Sequence, residues 1–278
     1  MNPVSFIEKI THAADRAESL VCVGLDTDPK KIPSVFADAD DSVFDFNREI
    51  ISATKDFVCA YKPNSAFYEA LGSPGIESLR KTCEAVPSDI PVILDVKRGD
   101  ISNTALKYAD FAYDHIGADA VTVNPYMGFD AVKPFLRADK CVFVLCLTSN
   151  ESAKDFQLLD TGDGLLYERI ARASVEWAKE GEIGLVVGAT KPENMRRIRD
   201  IAGDVPILVP GVGAQGGDIE AVIGECGGSS GLTVINSSRG ILYASDGPDF
   251  KDAAKQSLIE LRDTINIFRK IRKTDKLK

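Results

Sequence analysis

The chain lacks several features that would point its reading elsewhere. It has no Cys-x-x-Cys pair, although six cysteines are present at Cys22, Cys59, Cys83, Cys141, Cys146 and Cys226. Most lie in apolar runs, which suits reduced, buried thiols in a cytoplasmic protein better than disulfides or a thiolate metal site. Histidine is scarce, and both His12 and His115 sit in helix-like patterns. That disfavours a histidine metal centre or a Ser-His-Asp triad, and no metal is expected. No apolar stretch approaches the roughly 18 residues of a membrane span. The first residues, Met1-Asn2-Pro3-Val4-Ser5-Phe6, show no basic segment followed by an apolar one, so no secretory signal is expected. Excess positive charge is missing too. A net charge of −9 disfavours a nucleic-acid partner, which needs a basic face. One small phosphate remains compatible, because an Arg and a few backbone N–H groups can hold it.

The 278 residues, 44% of them hydrophobic, are enough for one large barrel. Strand-like runs fall at 20–26, 57–63, 91–97, 120–124, 141–148, 183–188, 206–210 and 232–236. They are rich in Val, Ile, Leu and Cys without strict alternation, as parallel strands covered on both faces are. Amphipathic stretches such as 43–54, 102–115, 165–179 and 192–201 lie between them. This alternation predicts an α/β fold, a single (β/α)₈ TIM barrel over 1–278, with an open doubly wound sheet as the alternative. Two long polar stretches, 27–41 and 149–164, read as loops on the functional face. From Phe250 a final helix is expected, with Leu258, Leu261, Ile265 and Phe268 on one side. Its basic end, about 270–278, reads as a solvated helix terminus.

In such a barrel, chemistry sits where the strands end. The third strand runs from Pro91-Val92-Ile93-Leu94 into Asp95-Val96-Lys97-Arg98-Gly99-Asp100. Strand alternation puts Ile93, Asp95 and Lys97 on one face. Buried charges need partners, so an acid and an amine together at a strand end suggest a site. Other ends bring Asp26, Lys62 and Arg239 to the same rim. After the seventh strand stands Gly211-x-Gly213-x-x-Gly216, which matches a dinucleotide fingerprint. It lies late in the chain, and the acid expected about 20 residues on is replaced by the region of Asn236. A glycine loop partnered by Arg239, forming the phosphate site common to loops seven and eight of these barrels, fits better.

These residues together resemble the orotidine 5′-monophosphate decarboxylase family. Its Asp-x-Lys-x-x-Asp signature stands here as Asp95, Lys97 and Asp100. Its Gly-Leu-Asp stands as Gly24-Leu25-Asp26, and its second-strand lysine as Lys62, followed by Pro63 and Asn64. Its Pro-Gly-x-Gly-Ala-Gln-Gly-Gly loop stands at 210–217, and its last-strand arginine is Arg239. The chain is similar to the longer, divergent form of that family.

The resemblance implies cofactor-free loss of CO₂ from orotidine 5′-monophosphate, giving uridine 5′-monophosphate in the last step of pyrimidine nucleotide synthesis. It implies catalytic roles for Lys97, Asp95, Lys62 and Asp100. Asp26 is expected on a ribose hydroxyl, and Pro210, Gln215, Gly216, Gly217 and Arg239 on the phosphate side, with Gln215 also within reach of the pyrimidine. The pyrimidine-contacting hydroxyl is Thr148 or Ser149, with Thr148 preferred. Lys62 is expected to bridge Asp95, the ribose and Asp26. Asp100, Ile101 and Thr104 are expected to reach the neighbouring subunit's site, which implies a homodimer. Two rival readings are a metal-dependent sugar-phosphate decarboxylase or aldolase of the same barrel group, and a non-catalytic nucleotide-binding protein. Lys62, at a strand end where an acid would help hold Mg²⁺, weighs against the first. The presence of both Lys97 and Asp95 weighs against the second.

Overall fold

The structure, a computed structural model, describes residues 4–189, 192–211, 219–226 and 232–275. Eight parallel strands alternate with helices. They are β1 (Val21–Gly24), β2 (Ala60–Lys62), β3 (Ile93–Arg98), β4 (Ala120–Val123), β5 (Cys141–Leu147), β6 (Glu182–Val187), β7 (Ile207–Pro210) and β8 (Thr233–Ser237). Each lies within one of the predicted runs or within one residue of it. The sheet order is β2-β1-β8-β7-β6-β5-β4-β3. Parallel bridges Tyr61↔Val92 and Asn64↔Asp95 join its two edges, so the sheet closes into a (β/α)₈ barrel. Closure removes the open edges that a doubly wound sheet would keep.

Residues of β1, β2, β4 and β8 are buried throughout, as expected of strands with a helical layer outside and packed side chains within. All six cysteines are buried and unpaired. The helix Phe6–Ala17 closes the end of the barrel where the strands begin. Its Ile7 N–H donates to Glu182 at the start of β6, and Lys9 pairs with Asp119 just before β4, at 2.9 Å. The last helix, Phe250–Asp275, packs on the helices Ser42–Thr54 and Ile219–Cys226, burying Leu258 and Ile265. Among the described residues, no helix is long and apolar enough to cross a membrane.

One buried polar network matters for the opposite rim, because it holds the segment that follows β1. Tyr68 donates its hydroxyl to the Leu25 carbonyl (2.9 Å). Asn47, fully buried on the helix Ser42–Thr54, donates to Tyr68 Oη (2.9 Å) and Thr82 Oγ1 (3.2 Å), and accepts from Thr27 Oγ1 (2.5 Å). Asp26 lies between the two anchored residues, Leu25 and Thr27. Replacing Asn47 by Leu leaves Thr27, Tyr68 and Thr82 short of partners in a dry site. Urea denaturation should show a loss of about 1–3 kcal/mol relative to the native chain.

Candidate active site

The rim where the strands end holds a cavity of ≈270 Å³. Its wall is built from Asp26, Lys62, Asn64, Asp95, Ser149, Pro210, Gly211, Asn236, Ser237, Ser238 and Arg239, drawn from the ends of β1, β2, β3, β5, β7 and β8.

Lys62 and Asp95 line this cavity and belong to an alternating row of charge that continues to Lys97, which does not itself line it. Lys62 Nζ donates to Asp95 Oδ2 at 2.9 Å, and Lys97 Nζ donates to Asp95 Oδ1 at 2.6 Å. Lys62 and Asp95 are buried, at 2% and 7% exposure, whereas the Lys97 side chain is 44% exposed. Burial alone would raise the Asp95 carboxyl, but attraction and hydrogen bonds from Lys62 and Lys97 outweigh it and hold the group well below the usual carboxylate range. Burial would likewise lower the Lys62 ammonium, but Asp95 and Asp26 outweigh it and raise it. Both groups are therefore charged at neutral pH. Asp26 acts on Lys62 through its charge. The Lys62 ion pair is with Asp95, so the expected bridge is a contact on one side and a field on the other.

Asp95 and Lys97 meet as alternation predicts, but the backbone reaches that result differently. Pairing with β4 shifts register between Leu94 and Arg98, and Lys97 has φ +43°. This is a bulge with a left-handed non-glycine residue, a conformation that costs about 1–2 kcal/mol. The bulge re-aims the Lys97 side chain toward the rim. Gly99 follows, and a Cβ there would sit 3.2 Å from the Asn124 carbonyl oxygen.

Asp26 Oδ2 accepts from Ser238 Oγ at 2.7 Å, and Ser238 Oγ accepts weakly from Asn236 Nδ2 at 3.4 Å. Among the described residues, Asp26 Oδ1 and Asn236 Oδ1 are buried acceptors with no partner. Gly24 makes room for this chain, since a Cβ there would lie 1.9 Å from Ser238 Oγ. Arg239 and Pro210, the residues expected on the phosphate side, both line the cavity. Gln215, Gly216 and Gly217 lie outside the described residues.

At the fifth strand end Ser149 lines the cavity and Thr148 does not. The Thr148 hydroxyl is taken up inside its own loop by Asn150 Oδ1 (2.6 Å) and the Gln157 side chain. Asp100, Ile101 and Thr104 do not line this cavity. Ile101 and Thr104 are exposed on the rim beyond Gly99, and Asp100 is partly exposed, its Oδ1 accepting the Ile101 N–H. Sequence reasoning missed Asn64, Asn236, Ser237 and Ser238. The polar run Asn236-Ser237-Ser238 at the end of an otherwise apolar strand was the available signal for the last three.

Comparison with known proteins points one way. The model of the "Orotidine 5'-phosphate decarboxylase / HUMPS family" matches residues 19–254. An orotidine 5'-phosphate decarboxylase of Dechloromonas aromatica (strain RCB) is 50% identical over 271 residues, covering 96% of this chain and all of the relative. One from Dehalococcoides mccartyi is 47% identical, covering 96% of this chain and 99% of the relative. The solved structure of Leishmania donovani OMP decarboxylase superposes with a TM-score of 0.81 at 39% identity, covering 96% of this chain and 99% of that one.

The charge row has a direct consequence for stability. Asp95→Ala leaves Lys62 buried without its acid, which should cost about 3–5 kcal/mol in denaturant unfolding at pH 7. Lys97→Ala should cost less, because that side chain is half in water. The Asp95 pKa is depressed in the folded state. Its contribution is therefore fully present above the unfolded value of about 4 and is lost as pH falls below it. The gap between native and Asp95→Ala should accordingly narrow below about pH 4.

Proposed function

The chain belongs to the orotidine 5'-phosphate decarboxylase / HUMPS family, and we propose that it converts orotidine 5′-monophosphate to uridine 5′-monophosphate and CO₂ without a cofactor. The observation that carries this reading is the Lys62–Asp95–Lys97 row, whose buried Lys62 and Asp95 line a cavity together with Arg239.

The chemical demand is a carbanion at C6 of the base, in the ring plane, with no adjacent π system to spread its charge. Other decarboxylases use a cofactor as an electron sink. Fixed charge in a site closed to water can do the same work. In this reading the C6–carboxylate bond breaks and its electron pair stays on C6 beside the Lys97 ammonium. Lys97 Nζ then gives C6 a proton. Asp95 holds Lys97 and stands near the substrate carboxylate, a like-charge contact relieved as neutral CO₂ leaves. Lys62 keeps Asp95 ionised. Asp26 Oδ1, buried and unpartnered, suits a ribose hydroxyl, which can donate to it. Ser149 suits the pyrimidine edge. Arg239, with Pro210 and Gly211, suits the phosphate, whose binding supplies energy remote from the reacting bond. The family resemblance assigns Gln215, Gly216 and Gly217 to the phosphate as well.

The same reading makes the enzyme a cytoplasmic homodimer in which the chain works as one barrel domain. Buried, unpaired thiols suit a reducing compartment. Asp100, Ile101 and Thr104 stand on the rim, and Ile101, Tyr126 and Met127 expose apolar surface there, as a second copy would cover. Asp100 then completes the partner's site.

Two measurements test these assignments. Loss of absorbance as orotidine 5′-monophosphate is consumed should be rapid with the native protein and at least ~10³-fold slower with Lys97→Ala. A near-native rate for that variant would remove Lys97 as the acid. Lys97→Ala and Asp100→Ala proteins, each inactive alone, should regain about a quarter of native activity when mixed in equal amounts and allowed to exchange subunits. Half the dimers are then mixed, and each carries one intact site. No recovery despite exchange would place Asp100 in its own subunit's chemistry.

A further inference from the structure

β4 places a buried polar side chain beside the charge row. Thr122 is 1% exposed and does not line the cavity. Its hydroxyl makes three hydrogen bonds, all to the β3 bulge. It accepts from the Val96 N–H at 3.0 Å and from the Lys97 N–H at 2.9 Å, and its oxygen lies 2.9 Å from Asp95 Oδ1. The direction of the third bond follows from the other two. Two N–H groups occupy the oxygen's lone pairs, and an ionised carboxylate can only accept, so the Thr122 proton goes to Asp95.

We propose that Thr122 is a positioning residue for the decarboxylation, its hydroxyl replacing the ladder partner that the bulged strand loses and fixing the Asp95 carboxylate and the Lys97 backbone together. The kinetic part of this inference rests on the decarboxylase reading above. The bulge interrupts pairing between Leu94 and Arg98, so two N–H groups need another acceptor. Thr122 supplies it at the residue whose left-handed φ aims the reacting ammonium. It also completes the carboxylate. Asp95 Oδ1 receives Thr122 and Lys97, and Oδ2 receives Lys62, so three donors set the plane of the group. A valine at 122 keeps the shape and puts a methyl where the hydroxyl was. The two N–H groups then face carbon, and Asp95 can rotate about its remaining ion pairs.

The test compares Thr122→Val with Thr122→Ser. For orotidine 5′-monophosphate, kcat of Thr122→Val should fall at least about tenfold, as misplacement of a reacting group does. The Kd for uridine 5′-monophosphate, which has no carboxylate facing Asp95, should change little. Thr122→Ser keeps the hydroxyl and should recover most of the lost kcat. The proposal is overturned by a near-native kcat in Thr122→Val, by a Thr122→Ser as slow as Thr122→Val, or by nucleotide binding that weakens as much as kcat falls. Should Thr122→Val not fold, Thr122→Cys, whose thiol is a weak donor, carries the same expectations. A second readout is independent of activity. Asp95 is faced by Lys62 from β2 and Lys97 from its own strand, with Asp26 acting on Lys62 from the end of β1. Against that constant background, ¹³C NMR titration of the Asp95 carboxyl should move upward in Thr122→Val, and an unmoved titration overturns the proposal. If the native protein does not release CO₂, the functional reading fails by itself and the titration still decides the role of Thr122.

Discussion

The Asp95 carboxylate is the constraint on which the rest of the rim depends. An isolated carboxylate in so dry a place would take up a proton, because burial penalises the ion. Lys62 and Lys97 prevent that, and three donors from different parts of the fold hold the group: Lys62 from β2, Lys97 from the β3 bulge, Thr122 from β4. The surroundings of the carboxylate depend on three neighbouring strands keeping their positions. Stability of the ion and geometry of the site are thus one requirement.

The same residue stands at the seam of the barrel. β2 and β3 are joined by two bridges, one of them Asn64↔Asp95, and the Asp95 N–H donates to the Pro63 carbonyl at 2.9 Å. Pairing between β5 and β6 is far more extensive, with six partners. The seam is sparsely paired, as β6 and β7 also are, and the Lys62–Asp95 ion pair spans it through side chains where the backbone ladder is short. A charged pair therefore lies across the junction that closes the barrel. Loosening the seam would separate the two charges, and separating the charges would leave each unpaired in the core. Each cost reinforces the other, which favours a single closed arrangement.

Most of this was legible in the sequence, for reasons that can be named. The strands were visible because segments buried on both faces must be apolar throughout, and their ends were visible because charge interrupts them. Asp26, Lys62, Asp95 and Arg239 all line the cavity as that reasoning expects. What escaped it depends on local geometry. Alternation brings Asp95 and Lys97 together on paper, whereas the chain uses a bulge and a left-handed lysine. Thr122 escaped because a β-branched residue in an apolar strand is the ordinary occupant of such a position. That Ser149 lines the cavity while Asn150 and Gln157 engage Thr148 within the loop is also something residue order does not reveal.

The bulge also explains how one short segment can serve two needs. A regular strand would carry Lys97 onward in the barrel wall, with its side chain confined by the neighbouring strand. Turning the backbone at Lys97 leaves Asp95 buried at the seam and lifts the amine to a half-exposed position two residues later. A buried anion that stays ionised and an ammonium that, in the proposed reaction, reaches substrate and gives up a proton require different surroundings. The left-handed residue supplies the change of surroundings within a single peptide unit, at a conformational cost of about 1–2 kcal/mol. Two N–H bonds to Thr122 offset it, and a residue without a hydroxyl on β4 would leave that cost uncompensated.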